Sequence, residues 1–349
     1  MGYIFKTTER NNAKASEYET KALLYLYSLN KDSNLIQNFI IDCFNDISAC
    51  DANYSKIWDI QSKGVKNLTP KTIGRALYTL FGNFLHEFPF EFFILLIPRI
   101  DSKFFKDASL RTFGLNNFNL EWQEKVINGL CEEYKEKTKN TPNIDDVNKF
   151  LKKIIFVFGD KEKADYIKEA INFKTPSIHD SYFIDIFREI SNSQTAYKNI
   201  SVHNQEINSL QDIEKTKKVM KKADISALIV NRFLSVDVFK SYKNASIDFL
   251  NLISRSYSEE ERIDILQEAN EEFAKLLFDK NNKNNFWKFF EYILTIVINN
   301  IKEPITTIFN KLNRLHIHTL VEVNDYTILY LISLIKDGFE NENKNSSNR

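Results

Sequence analysis

The stretch NDISACDANYSKIWDIQSKG, residues 45 to 64, decides the reading of this chain. Asp46 stands fifteen positions before Gln61, and Gln61-Ser62-Lys63 closes a β-like run that begins near Lys56. Side chains alternate on a strand, so Asp59, Gln61 and Lys63 are expected on one face and Trp58 and Ile60 on the other, toward a core. A carboxylate on one strand and a Q-x-K triplet on the next can bring two oxygen donors and a cation to the same edge of a sheet. Asp46 offers a carboxylate, Gln61 an amide carbonyl and Lys63 an ammonium; such oxygen donors suit Mg²⁺.

Outward from this stretch, Asn38 to Ser48 and Lys56 to Lys63 read as two strands of an antiparallel hairpin joined by the polar turn CDANY. Asp42 and Asp46 then share a strand face, and register could bring either near Gln61; the spacing to the triplet favours Asp46. Asp51 reads as an ordinary turn residue, and Asp59 as a residue at the margin of the site or on a solvated face. Upstream, Tyr18, Ala22, Tyr25, Leu26 and Leu29 give Ala15 to Leu29 the spacing of an amphipathic helix. Ser16 is its expected N-cap, with Glu19 three residues on. This helix, packed across the hairpin, would offer the Glu19 carboxylate directly or through a neighbour.

Downstream, Thr69-Pro70 opens a helix carrying Ile73, Leu77, Leu80 and Phe81. Phe90 to Ile97 is apolar on both sides, as a strand covered on both faces would be. Lys153 to Phe158, KIIFVF, reads either as a strand ending at Gly159 or as a buried helical turn continuing from Asp145. The order describes a three-layer α/β core over residues 1 to 200. From there Asp212–Leu234, Ser235–Ser256, Glu259–Asp279, Asn285–Lys302, Pro304–Leu320 and Asp325–Phe339 are all helix-like. An all-α region over 201–340, suited to partner binding or oligomerisation, is expected, followed by a disordered polar tail over 341–349.

Tyr18-Glu19 on the first helix, Asp46 ahead of a turn, and Ile57-Trp58-Asp59-Ile60-Gln61-Ser62-Lys63 together resemble the PD-(D/E)xK nuclease superfamily, in its branch with Q-x-K on the second strand. Within it the chain looks like the double-stranded DNA nuclease domains of bacterial anti-phage effectors, in particular the nuclease subunits of Lamassu defence systems. The resemblance covers roughly residues 1 to 200. It implies a restriction-endonuclease-like mixed sheet flanked by helices and metal-dependent hydrolysis of double-stranded DNA. The implied catalytic residues are Glu19, Asp46, Gln61 and Lys63, with Asp46, Gln61 and Glu19 as ligands of Mg²⁺ or Mn²⁺. It also implies an SMC-like ATPase subunit and a small accessory subunit as partners, and self-association on activation. Gln61 stands where Glu is commoner, which removes one negative charge and implies weak metal binding until a DNA phosphate joins.

Composition bounds these readings. With 349 residues, 43% of them apolar, the chain can fill two ordinary domains or one large one. Only eight Gly and six Pro interrupt it, which favours long helices. Lys+Arg and Asp+Glu balance at 47 each, so bulk charge provides no attraction to nucleic acid, and any DNA contact needs a local patch or a partner. Cys43, Cys50 and Cys131 have no metal spacing and no leader is evident, which together suggest reduced thiols and a cytoplasmic protein. FPFEFFILLIP, residues 88 to 98, is shorter than the roughly 18 residues a membrane span needs and reads as a buried strand.

His86, His179, His203, His316 and His318 show no zinc-site pattern. The lysines of EKTKKVMKKAD, namely Lys215, Lys217, Lys218, Lys221 and Lys222, read as a solvated helix face or as a DNA or partner contact. No G-x-x-x-x-G-K-[ST] occurs, so any nucleotide-driven step belongs to a partner. Two other functional readings stay open. One is a non-catalytic scaffold with a nuclease-like fold; the other is an effector of a cyclic-nucleotide-activated system, which would need a C-terminal ligand-binding domain containing strands.

Overall fold

The computed structural model describes residues 2–5, 13–29, 32, 34–65, 67–176, 178–239, 245–279 and 283–346. The chain opens with β1 (Tyr3–Ile4) and α1 (Ala13–Tyr27), followed by β2 (Ile36–Ile41), β3 (Ile47–Asp51) and β4 (Ile57–Ser62). Ser16 lies inside α1, not at its N-cap, and its hydroxyl is 3.2 Å from that of Ser191. The single strand expected over Asn38 to Ser48 is in fact two. β2 and β3 pair antiparallel, with Ile41 opposite Ile47, and the Asp42 N–H donates to the Asp46 carbonyl at 3.0 Å to close the turn. Asp42 sits at φ 52°, a left-handed conformation that Asp tolerates better than most residues. Asp42 and Asn45 are turn formers, so DCFND breaks a run that hydrophobicity alone carries through.

The next elements follow the sequence closely. α2 (Pro70–Ala76) starts at a capping box in which Thr69 and Thr72 satisfy each other's backbone N–H groups. A break at Leu77 leads to α3 (Tyr78–Phe84), and β5 (Phe90–Ile97) then runs parallel to β4, with Gln61 opposite Leu95. After β6 (Thr112–Phe113), α4 (Leu120–Thr138) and α5 (Ile144–Lys153), the KIIFVF segment forms a strand, β7 (Ile154–Phe158), parallel to β5. α6 (Lys163–Ile171), α7 (Asp180–Lys198) and β8 (Glu206–Ile207) follow, and β8 pairs with β1.

The expected helix from Asp212 to Leu234 is replaced by three shorter pieces. A 3-10 segment, Leu210–Thr216, ends where Lys217 turns to φ 58°. β9 (Val219–Lys221) then pairs antiparallel with β2, and α8 (Lys222–Leu234) starts immediately after. The lysines of this stretch therefore form no single solvated face. Lys218 is fully buried, and the Lys222 ammonium lies over the Tyr27 ring, 4.7 Å from its centroid.

The main sheet has seven strands in the order β6-β7-β5-β4-β3-β2-β9. α1 covers one face, where Tyr27 stacks on Phe39, and the C-terminal part of α7 is bonded to α1, the Thr20 hydroxyl donating to Gln194 Oε1 at 2.9 Å. α2 to α5 cover the other, where Ile57, Phe93 and Leu95 pack with Ile73, Phe81 and Phe150 in one apolar cluster. The fold is the mixed α/β sheet with flanking helices that the sequence led us to expect, accompanied by a helical C-terminal region.

The chain forms two units, Met1–Tyr166 with Phe187–Lys222, and Ile167–Ile186 with Ala223–Arg349. This division differs from the expected boundary at residue 200, because β9 returns to the sheet well after α7. The second unit contains α9 (Ile247–Ser254), α10 (Glu259–Phe278), α11 (Lys283–Asn299), α12 (Ile305–Asn310), α13 (Arg314–Leu320) and α14 (Asp325–Ser346). α14 is buried on every side from Ile328 to Ile335, as the central helix of a bundle must be. It continues through Ser346, so most of the expected tail is helical; residues 347–349 lie outside the described residues. His316 and His318 are exposed on α13. Among the described residues no helix is long and apolar enough to cross a membrane.

One helix crossing constrains the sequence sharply. A Cβ on Gly74 of α2 would lie 2.0 Å from the Val126 carbonyl oxygen, and one on Gly129 of α4 would lie 2.1 Å from the Lys71 carbonyl oxygen. Neither obstacle is a movable side-chain end, so the two backbones must separate to admit a methyl group. We expect Gly74→Ala and Gly129→Ala each to lower stability by about 1–3 kcal/mol in urea unfolding; an unchanged midpoint for both would contradict this close crossing.

Candidate active site

Asp46 from the turn and Gln61 and Ser62 from β4 converge where the Asp42–Asp46 turn meets the end of β4. Asp46 Oδ2 accepts from Gln61 Nε2 at 2.8 Å, from the Ser62 backbone N–H at 2.7 Å and from the Ser62 hydroxyl at 2.7 Å. The antiparallel β3–β4 ladder, with Ile47 opposite Ile60, sets this meeting by placing residue 46 beside residues 61 and 62. Lys63 prolongs the strand by one residue, its N–H donating to the Leu96 carbonyl of β5 at 2.9 Å. The structure therefore brings Asp46, and not Asp42, onto the triplet.

Glu19 joins from α1. It is almost fully buried, and its carboxyl is pushed up to about 7, first by burial and next by the negative charge of Asp46. Lys198, the last residue of α7, opposes that shift: its Nζ donates to Glu19 Oε1 at 2.6 Å. The adjacent Tyr18 is seated against the backbone just past Lys63, where a Cβ on Gly64 would be 2.7 Å from its ring. α1 is thus held directly on the strand end that carries the triplet.

Asp42 is engaged elsewhere. The buried Lys218 ammonium lies 3.2 Å from Asp42 Oδ2, 3.2 Å from its carbonyl oxygen and 3.3 Å from the carbonyl oxygen of Lys198. Lys218 ties the turn, the end of α7 and the start of β9 together. Asp42 still contributes charge to the site, since it also raises the Glu19 carboxyl.

Asp59 departs most from expectation. It does share the face of Ile57, but α3 covers that face and leaves the carboxylate with no exposure at all. It accepts from Asn45 Nδ2 at 2.6 Å, Asn83 Nδ2 at 2.7 Å and the Ser48 hydroxyl at 2.7 Å. Asn83 in turn accepts from the Tyr3 hydroxyl at 2.8 Å. Asp59 is therefore an internal tie between β4, β3, α3 and the turn bearing Asp46. A polar residue between Trp58 and Ile60 was the available signal, but its three donors are not readable from local pattern.

The donors that meet here are the Asp46 and Glu19 carboxylates and the Gln61 amide, all oxygen groups of the kind that hard divalent cations take. Among the described residues no three His, Cys, Asp or Glu side chains gather as a metal cluster. The fit to a divalent ion rests instead on the buried Glu19 carboxylate, the half-buried Asp46 carboxylate that repels it, and the Gln61 amide. Ser62, Lys198 and Lys218 were not singled out by sequence reasoning as site residues. Ser62 lay inside the triplet and Lys218 inside the basic run read as a solvated face or a DNA or partner contact, whereas Lys198 carried no local signal.

The Asp59 carboxyl is held at about 6 rather than 3.8, chiefly by burial. Ionising it costs the folded state more than the unfolded chain. Its stabilising contribution is therefore complete below the ordinary carboxylate range and declines as pH rises through about 6. Asp59→Leu leaves three donors unsatisfied and should cost roughly 2–4 kcal/mol in urea unfolding at neutral pH. The gap from the native protein should widen on acidification; a gap that narrows would contradict the assignment.

Comparison with known proteins finds no matching family model, no matching curated protein and no matching solved structure.

Proposed function

We propose that this chain is a Mg²⁺-dependent endonuclease that hydrolyses phosphodiester bonds of double-stranded DNA. The observation that carries the reading is the convergence of Asp46 with Gln61-Ser62 at the end of β4, with the buried Glu19 carboxyl close enough to Asp46 to be raised by its charge. Asp46, Glu19 and the Gln61 amide would hold the metal, with Mn²⁺ as a substitute. Bound there, the ion would supply positive charge against the scissile phosphate and acidify water. The protein's own groups do the positioning. Ser62 fixes Asp46 through two bonds to one oxygen, and Gln61 holds the same atom through its NH₂ group. Lys63, one residue on, supplies a cation for the charge that grows on the phosphate.

The balanced overall charge supports restraint: a lone subunit would have little non-specific affinity for DNA. We infer that the chain works within an anti-phage complex, with an SMC-like ATPase and a small accessory subunit, and that activation releases it to self-associate. The described residues of Ala223–Arg349 contain helices and no strands, which favours this over a cyclic-nucleotide effector with a stranded ligand domain.

A non-catalytic scaffold is the second reading. It is favoured by Gln61 standing where an acid would strengthen a metal site, and by Glu19 being already paired with Lys198. One experiment separates the two. The purified complex is given supercoiled plasmid and Mg²⁺, and Asp46→Ala and Lys63→Ala are each expected to cut at least ~100-fold more slowly while assembling normally. EDTA should abolish cleavage. Cleavage by both variants at the native rate would sink the enzymatic reading.

A further inference from the structure

The contact between Lys198 and Glu19 was not anticipated among the four residues read from the sequence. Lys198 Nζ lies 2.6 Å from Glu19 Oε1, and both side chains are more than nine-tenths buried, at 9% and 4% exposure. The same ammonium also interacts with the charges of Asp42 and Asp46. Asp42 already has Lys218 at 3.2 Å. Lys198 is thus a cation paired directly with Glu19 and within the field of Asp46, where two carboxylates repel.

A buried carboxylate left without a counter-charge is costly, and it takes up a proton or another cation in place of the one removed. Exchanging one cation for another keeps the Glu19 charge matched, which losing Lys198 alone does not. The geometry permits such an exchange. The Lys198 backbone is tethered, its carbonyl oxygen accepting from Lys218, while the ammonium sits at the end of a flexible four-carbon stem. An ammonium and a divalent ion cannot both contact the same carboxylate oxygen without strong mutual repulsion.

We propose that Lys198 is the resident counter-ion of the Glu19–Asp46 site, and that a divalent cation binds there by displacing its Nζ from Glu19, so that Lys198 sets the affinity for the ion. This rests on the reading of Glu19, Asp46 and Gln61 as the metal-holding groups. It makes Lys198 a positioning residue: it occupies Glu19 until the ion arrives and keeps the site from binding cations tightly at rest.

The test is calorimetric titration of the full-length protein with Mn²⁺ alone, without DNA. Lys198→Gln is expected to tighten Mn²⁺ binding about tenfold, or to confer it where the native protein shows none. Lys198→Arg, which keeps the charge, is expected to bind no more tightly than the native protein. An unchanged or weaker affinity in Lys198→Gln overturns the inference. The underlying reading fails separately: binding absent from both the native protein and Lys198→Gln, or binding indifferent to Asp46→Ala, removes the metal site itself. Should Lys198→Gln not fold, a crystal structure of the native protein with Mn²⁺ decides. Nζ still on Glu19 beside the bound ion overturns displacement, and Nζ moved away supports it.

Discussion

The buried carboxylate of Asp59 is the constraint on which the site depends. It takes one hydrogen bond from each of three elements: Asn45 in the turn, Ser48 on β3 and Asn83 on α3. Removing a carboxylate from water is costly unless its lone pairs are met, so these donors must stand where they do. Asn45 precedes Asp46 directly, and Asp59 precedes Gln61 by two residues on the same strand. Fixing the first pair therefore fixes the register of the second, and Asp46 is delivered to Gln61 and Ser62 with little freedom to wander. An interior hydrogen-bond network here performs the positioning that preorganised sites require.

The electrostatics of the sheet end follow from the same packing. Glu19, Asp42 and Asp46 come from a helix and one turn, and they would repel one another if left alone. Lys198 and Lys218 enter from the far end of the first unit and sit on Glu19 and Asp42. A chain with no net charge can thus hold a strongly polarised site, because the balance is struck locally by buried pairs. Such pairs are expensive to break.

The regular elements were largely legible. The capping residues at Thr69-Pro70, the apolar run of Phe90 to Ile97 and the spacing in α1 each announced an element that the structure contains. Misreadings fell where two short elements were merged. DCFND was carried through as strand although Asp and Asn favour turns. VMK was carried through as helix because charged residues flank it on both sides, although a three-residue edge strand has too few residues to show alternation.

From the sequence by itself came the helix and strand content, the mixed sheet under helices, and the Asp46 and Gln61-Ser62-Lys63 grouping. These depend on periodicity and on spacing across one hairpin, where neighbours in space are near neighbours in the chain. Only the tertiary structure decided that Asp59 is buried, that Asp42 is engaged by Lys218, and that Lys198 pairs with Glu19 across 179 positions. The physical reason is that a side chain's environment is set by what packs onto it. α3 reaches the sheet, and α7 reaches α1, from distant parts of the chain, and no local pattern near residues 45 to 64 records their arrival.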